Sequence, residues 1–166
     1  MNVLQIARIK PNPAGKDRSR SGASPAQLGG EWVDIKNVGR LAVDLAGLDL
    51  YHLAYGPGHP QGRWEKVASL TGGLTPGWTI RLHAGRHRDL SVLHPSDIAG
   101  AELHAFTGAD DYVWNNLEGD TPLLWLPATS AEVDKASYDP SPPEGAVLVR
   151  FGAKLLPTRH GAGIRI

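Results

Sequence analysis

The chain has 166 residues, 41% of them apolar and 20% charged, enough to build one core unaided and too few for two full domains. Lys plus Arg and Asp plus Glu are 17 each, so the formal net charge is +0 and no global basic excess marks a nucleic-acid binder. No cysteine is present, which excludes disulfides, thiol catalysis and thiolate zinc sites.

The 20 glycines and 13 prolines fall at short intervals and leave little room for helices of ordinary length. Residues 3–9 alternate as a strand and stop at Pro11-Asn12-Pro13. Residues 16–30 read as a mobile polar loop whose one apolar anchor is Leu28. Residues 31–39 form the clearest strand, with Trp32, Asp34, Lys36 and Val38 on one face and Val33, Ile35 and Asn37 on the other. Further candidates are 42–45, 48–53, 64–68, 78–83, 112–114, 123–126, 132–138 and 146–151, with a helical turn near 95–100. Residues 55–62, 75–77 and 115–120 carry loop chemistry. About nine short strands predict an all-β sandwich. Proline-rich residues 139–145 set off a terminal segment, so the expected organisation is a sandwich over residues 1–140 and a C-terminal extension, an added strand or an arm, over 141–166.

No apolar run of signal-peptide length follows Met1, and none approaches the ~20 residues of a spanning helix. The expectation is a soluble, cytoplasmic chain with no membrane-spanning segment.

The order of Gln5-Ile6-Ala7-Arg8-Ile9, Pro11-Asn12-Pro13-Ala14-Gly15, Glu31-Trp32-Val33-Asp34-Ile35-Lys36-Asn37-Val38-Gly39 and Val43-Asp44-Leu45-Ala46-Gly47-Leu48 resembles the lamin tail domain family, and its prokaryotic members most closely. Leu74-Thr75-Pro76-Gly77, Thr79-Ile80-Arg81-Leu82-His83-Ala84-Gly85 and Val113-Trp114-Asn115-Asn116 with Gly119-Asp120-Thr121 extend the similarity over roughly residues 3–138. Asp34 stands where a glutamate is commoner in that family, and Leu48 where a tryptophan is usual. The resemblance implies an immunoglobulin-like β-sandwich used as a non-catalytic interaction module, set at the end of a coiled-coil rod in lamins and often beside hydrolase or nuclease domains in prokaryotes. No heptad run exists here, so lamin-type filament assembly is not available to this chain alone. Such a module acts by surface contact with protein, nucleic acid or envelope material, and the leading expectation is a protein partner. An exposed aromatic patch, or an open sheet edge near residues 146–151, would carry that reading.

Two further constellations point elsewhere. Residues 1–20 carry Arg8, Lys10, Lys16, Arg18 and Arg20 against Asp17, whereas residues 97–139 carry nine carboxylates against Lys135. Lys16, Arg18, Arg20, Arg86 and Arg88, joined by Arg81, would make a phosphate-binding face if they converged; otherwise the two charge groups pair with each other. Asp110, Asp111, Asn116 and Asp120 fall in an oxygen-rich loop that would suit a cation, although turn-forming Asp and Asn explain the same residues.

His83, His87 and His94 lie close together with Asp89 and Asp97 among them, the basis of an alternative reading as a metal-dependent hydrolase. Gly85 and the strand before it oppose the helical spacing that zinc hydrolases use. Nucleophile-elbow, phosphate-loop and dinucleotide motifs are absent, so neither catalysis nor a cofactor is expected. Trp32 and Trp114 are expected in the core. Burial is also the default for Trp64, Trp78 and Trp125, and one left exposed beside Tyr51, Tyr55 or His59 would make a stacking platform for sugar rings or bases.

Overall fold

A computed structural model of the protein describes residues 3–16, 22–86 and 88–158. The order of elements is β1 (Leu4–Lys10), α1 (Pro25–Gly29), β2 (Trp32–Asn37), β3 (Val43–Asp44), β4 (Asp49–Gly56), β5 (His59–Ser69), β6 (Gly73–Leu74), β7 (Thr79–His83), α2 (Pro95–Ile98), β8 (Leu103–Phe106), β9 (Leu123–Leu126), β10 (Ala131–Lys135), β11 (Leu148–Phe151) and β12 (Lys154–Pro157). A six-stranded sheet runs β12-β11-β1-β2-β7-β8, a four-stranded sheet runs β10-β9-β4-β5, and β3 pairs with β6 alone. The protein is therefore an all-β sandwich. Among the described residues no helix is long and apolar enough to cross a membrane.

Alternation places the core. Ile6, Ile9, Val33, Ile35, Ile80, Leu82 and Leu148 come from the larger sheet and meet Leu50 and Leu124 of the smaller one. Leu74 of β6 and Leu45, Leu48, Leu70, Trp114 and Tyr138 of connecting segments close the same cluster. Residues 148–157 form a hairpin within the larger sheet, with Leu148 and Leu155 in the core. The edge beyond residues 146–151 is covered, because β12 pairs along β11.

Three expectations need correction. Residues 112–114 are not a strand: the Val113 and Trp114 amides donate to the Glu31 carboxylate instead of a neighbouring ladder. Residues 55–62 are mostly strand, since β4 and β5 stay paired to Gly56 and His59 around a tight turn at Pro57-Gly58. The described part of the 16–30 stretch is held to the fold. Ser24 and Gln27 form a reciprocal capping box, Leu28 is buried, and Lys16 is 8% exposed.

β7 and β8 are parallel, so the chain between them must cross over, and it does so through α2. That crossover and α1 bury a second layer on the outer side of the larger sheet. Two cross-strand rows lie there, Arg8, Asp34, Arg81 and His104 in one and Lys10, Trp32, His83 and Phe106 in the other. Asp97 of α2 accepts from Lys10 Nζ at 2.6 Å and Trp32 Nε1 at 2.9 Å, and Arg81 Nη1 donates to the Asp97 and Ala99 carbonyls. Trp32 is buried as expected, but in this polar layer and outside the shared core.

Candidate binding face

The smaller sheet has one face in the core and one in solvent. On β4, Leu50 points into the core, so by alternation Tyr51 and Leu53 point outward. Trp64 on β5 lies opposite Leu53, and Leu123 and Trp125 on β9 lie opposite Tyr51 and Asp49. Tyr51, Trp64, Leu123 and Trp125 line a shallow cleft of about 300 Å³. Trp64 is 44% exposed, Tyr51 and Trp125 are half-buried, and Leu123 forms the buried floor.

The register sets the three residues in a line. Tyr51 pairs with Lys66, and Trp64 stands two residues further along β5. Tyr51 also pairs with Leu123, and Trp125 stands two residues further along β9, on the opposite side of Tyr51. The three backbone positions are thus diagonal neighbours, about 7–8 Å apart, and together span about 15 Å. Their path across three paired strands keeps the spacing fixed.

The rim is polar and internally balanced. Asp49 accepts from Ser69 Oγ at 2.8 Å and lies 3.5 Å from Lys66 Nζ, and Glu132 lies 3.2 Å from Lys135 Nζ. Gly62 supports the Trp64 end. Its φ of +84° favours glycine, and a Cβ there would stand 2.6 Å from Leu53.

Among the described residues, His83 and His94 have separate partners. His83 is fully buried, with Nδ1 2.7 Å from the Gly29 carbonyl oxygen and Nε2 2.8 Å from His104 Nδ1. Burial pushes its pKa down to about 4, so it is neutral at physiological pH. His94 caps α2 with its own side chain, and His87 lies outside the described residues. His104, unremarked in the sequence, is the residue that actually meets His83.

The acidic loop residues are held by different partners. Asp110 pairs with exposed Arg86 at 3.1 Å, and Asp111 accepts from the Tyr112 amide. Asp120 is 3% exposed and accepts from the Leu53, Asn115 and Thr121 amides and the Asn115 side chain, with His52 Nδ1 2.9 Å away. Asn116 and Asp111 line one cleft together with Lys16 and Tyr112. Among the described residues no three His, Asp or Glu side chains are grouped to hold a metal ion.

Two of the described basic residues, Lys16 and Arg81, are engaged inside the fold. The three protons of the Lys16 ammonium go to the Pro11 carbonyl, the Glu31 carboxylate and the Trp114 carbonyl, leaving none for a phosphate. Burial lifts the Glu31 carboxyl to about 7 even with that ammonium against it. Arg81 is 1% exposed and paired with Asp34. Arg86 and Arg88 are exposed, whereas Arg18 and Arg20 lie outside the described residues. Among the described residues one ion pair joins the two charge groups, Lys10 with Asp97, while Lys16 meets Glu31, Arg86 meets Asp110 and Arg150 meets Asp134. No family model and no curated protein matches the chain.

Proposed function

We propose that this chain is a non-catalytic binding module resembling the lamin tail domain, with the outer face of the four-stranded sheet as its contact surface. One observation carries the reading: three aromatic side chains, Tyr51, Trp64 and Trp125, share one solvent-facing cleft on rigid, paired strands. Such a surface favours recognition, because rings fixed by backbone pairing lose little freedom when a ligand covers them. The ionisable groups fit the same reading. Glu31, Asp34, Asp97, Asp120 and His83 are buried and engaged in bonds that hold loops and strands together.

The test is retention from a cell extract separated into protein, nucleic-acid and glycan fractions, on immobilised intact chain and on its Trp64→Ala/Trp125→Ala variant. The intact chain should retain material from one fraction, the double variant should lose it, and Phe151→Ala, altered at an exposed residue of the other sheet, should keep it. Equal retention by the intact and double-variant chains would move the contact off this face and overturn the proposal.

A further inference from the structure

We infer that the stripe of Trp64, Tyr51 and Trp125 binds a neutral polysaccharide chain, whose sugar rings stack on the aromatic rings while its hydroxyls reach the ion-paired rim. The inference rests on the binding-face reading above and names its occupant.

Aromatic faces carry partial negative charge and attract the slightly positive C–H face of a pyranose ring. Three rings carried on backbone positions that span about 15 Å match the length of a short oligosaccharide and give it successive points of contact. The cleft of about 300 Å³ lies at the lower end of ligand-sized sites and is shallow, as an extended chain passing over a sheet requires. A sugar hydroxyl both donates and accepts. Asp49 beside Lys66, and Glu132 beside Lys135, offer an acceptor and a donor together at each of two places on this face.

Charge complementarity selects against the other occupants. Each lysine of the face has its own carboxylate, so no excess cation remains to neutralise a phosphate backbone. β4 and β9 each lie between two paired strands, so an extended peptide finds open main chain only along β5, at the Trp64 end of the stripe, and none beside Tyr51 or Trp125. A neutral, hydroxyl-rich chain satisfies the rings and the balanced rim together.

The test is native electrophoresis of the full chain through gels containing hydroxyethylcellulose, xylan, glucomannan or mixed-linkage glucan, with tryptophan fluorescence titration against the same four. At least one polysaccharide should retard the protein and shift its fluorescence saturably. Trp64→Ala and Trp125→Ala should each weaken that binding about tenfold. Trp78→Ala, removing an exposed tryptophan outside the stripe, should leave it unchanged. Circular dichroism establishes that each variant is folded, and Tyr51→Phe, which keeps the ring, should retain most of the affinity.

No retardation by any of the four, or retardation that survives the double variant, overturns the inference. Saturable binding of oligodeoxythymidine or of a proline-rich peptide in place of the polysaccharides overturns it in favour of that class. A blank panel with extract retention still lost in the double variant would defeat the polysaccharide and leave the binding face standing. A blank panel with unchanged retention would defeat both.

Discussion

The guanidinium carbon of Arg81 stands 3.5 Å from the centroid of the Trp32 indole, on the side of the larger sheet turned away from the shared core. The same guanidinium donates Nε at 2.7 Å and Nη2 at 2.9 Å to the two oxygens of Asp34, which also meets Arg8 Nε at 2.9 Å. A planar fork satisfies stacking and bidentate pairing at once, and a lysine ammonium cannot.

Removing Arg81 strands a carboxylate that has no exposure at all. Arg81→Leu should therefore cost about 3 kcal/mol or more in urea unfolding. Arg81→Lys should also destabilise, because Lys keeps the charge and loses the fork. A loss below about 1 kcal/mol for Arg81→Leu would show that Arg8 alone satisfies Asp34.

Acid should weaken the fold through His83. Burial holds its folded pKa near 4, below the ordinary value of 6.5. Above pH 6.5 the group is neutral in both states and has no effect. Between pH 6.5 and 4 the unfolded chain takes up a proton that the folded chain refuses, so stability falls by about 3 kcal/mol across that window. Glu31 acts in the opposite sense. Its folded pKa near 7 lies above the ordinary 4.5, so its burial cost is full above pH 7 and is relieved as pH falls toward 4.5. Comparison with single variants separates the two. The stability of the intact chain relative to His83→Gln should fall from pH 7 to pH 4, and relative to Glu31→Gln it should rise; a flat difference in either series would contradict the corresponding assignment.

Alternation made the inward side of β2 legible, because Val33 and Ile35 stand out against Trp32, Asp34 and Lys36. The burial of Trp32 and Asp34 was not legible, since it depends on a crossover that folds over them from more than 50 residues downstream. Ser24-Pro25-Ala26-Gln27 carries a capping-box signal that the surrounding polar residues obscured. Tyr112, Val113 and Trp114 have strand composition, yet one distant carboxylate, that of Glu31, takes two of their amides. Trp64 was not legible either, because alternation with Arg63 and Glu65 reads as an inward-facing indole, whereas pairing with outward Leu53 turns it to solvent. Nor could Trp125 be placed, because Leu123-Leu124-Trp125-Leu126 is apolar on both faces and only its register with Asp49 turns the indole outward.

Metal removal should leave the protein unchanged, because Asp120 holds protein groups where a cation would need its oxygens. Four N–H donations from Leu53, Asn115 and Thr121 reach its carboxylate, and His52 lies beside it. Adding a chelator or calcium should move the melting temperature by less than about 1 °C, whereas Asp120→Ala should cost about 2–3 kcal/mol by leaving those donors buried without an acceptor. A calcium-dependent rise of several degrees would overturn this account.

The C-terminal hairpin should be indispensable to the fold. Leu155 of β12 and Leu148 of β11 are each 1% exposed in the shared core. Arg150 of β11 reaches the other sheet, donating Nη1 to Asp134 Oδ2 at 2.7 Å and to the Ile6 carbonyl at 2.9 Å. Asp134 Oδ2 accepts in turn from the Ile6 amide at 2.7 Å, beside the register shift in β1. The hairpin therefore fills part of the core and ties the two sheets at one point. Leu155→Ala should cost about 2–5 kcal/mol in denaturant unfolding. A chain ending at Gly145 should lose its cooperative transition altogether, since it exposes one side of β1 and leaves Asp134 half-buried without its guanidinium. An unchanged melting temperature in the shortened chain would mean that residues 146–166 are an arm laid on a complete sandwich. A collapsed transition with Leu155→Ala intermediate would place the hairpin inside the folding unit.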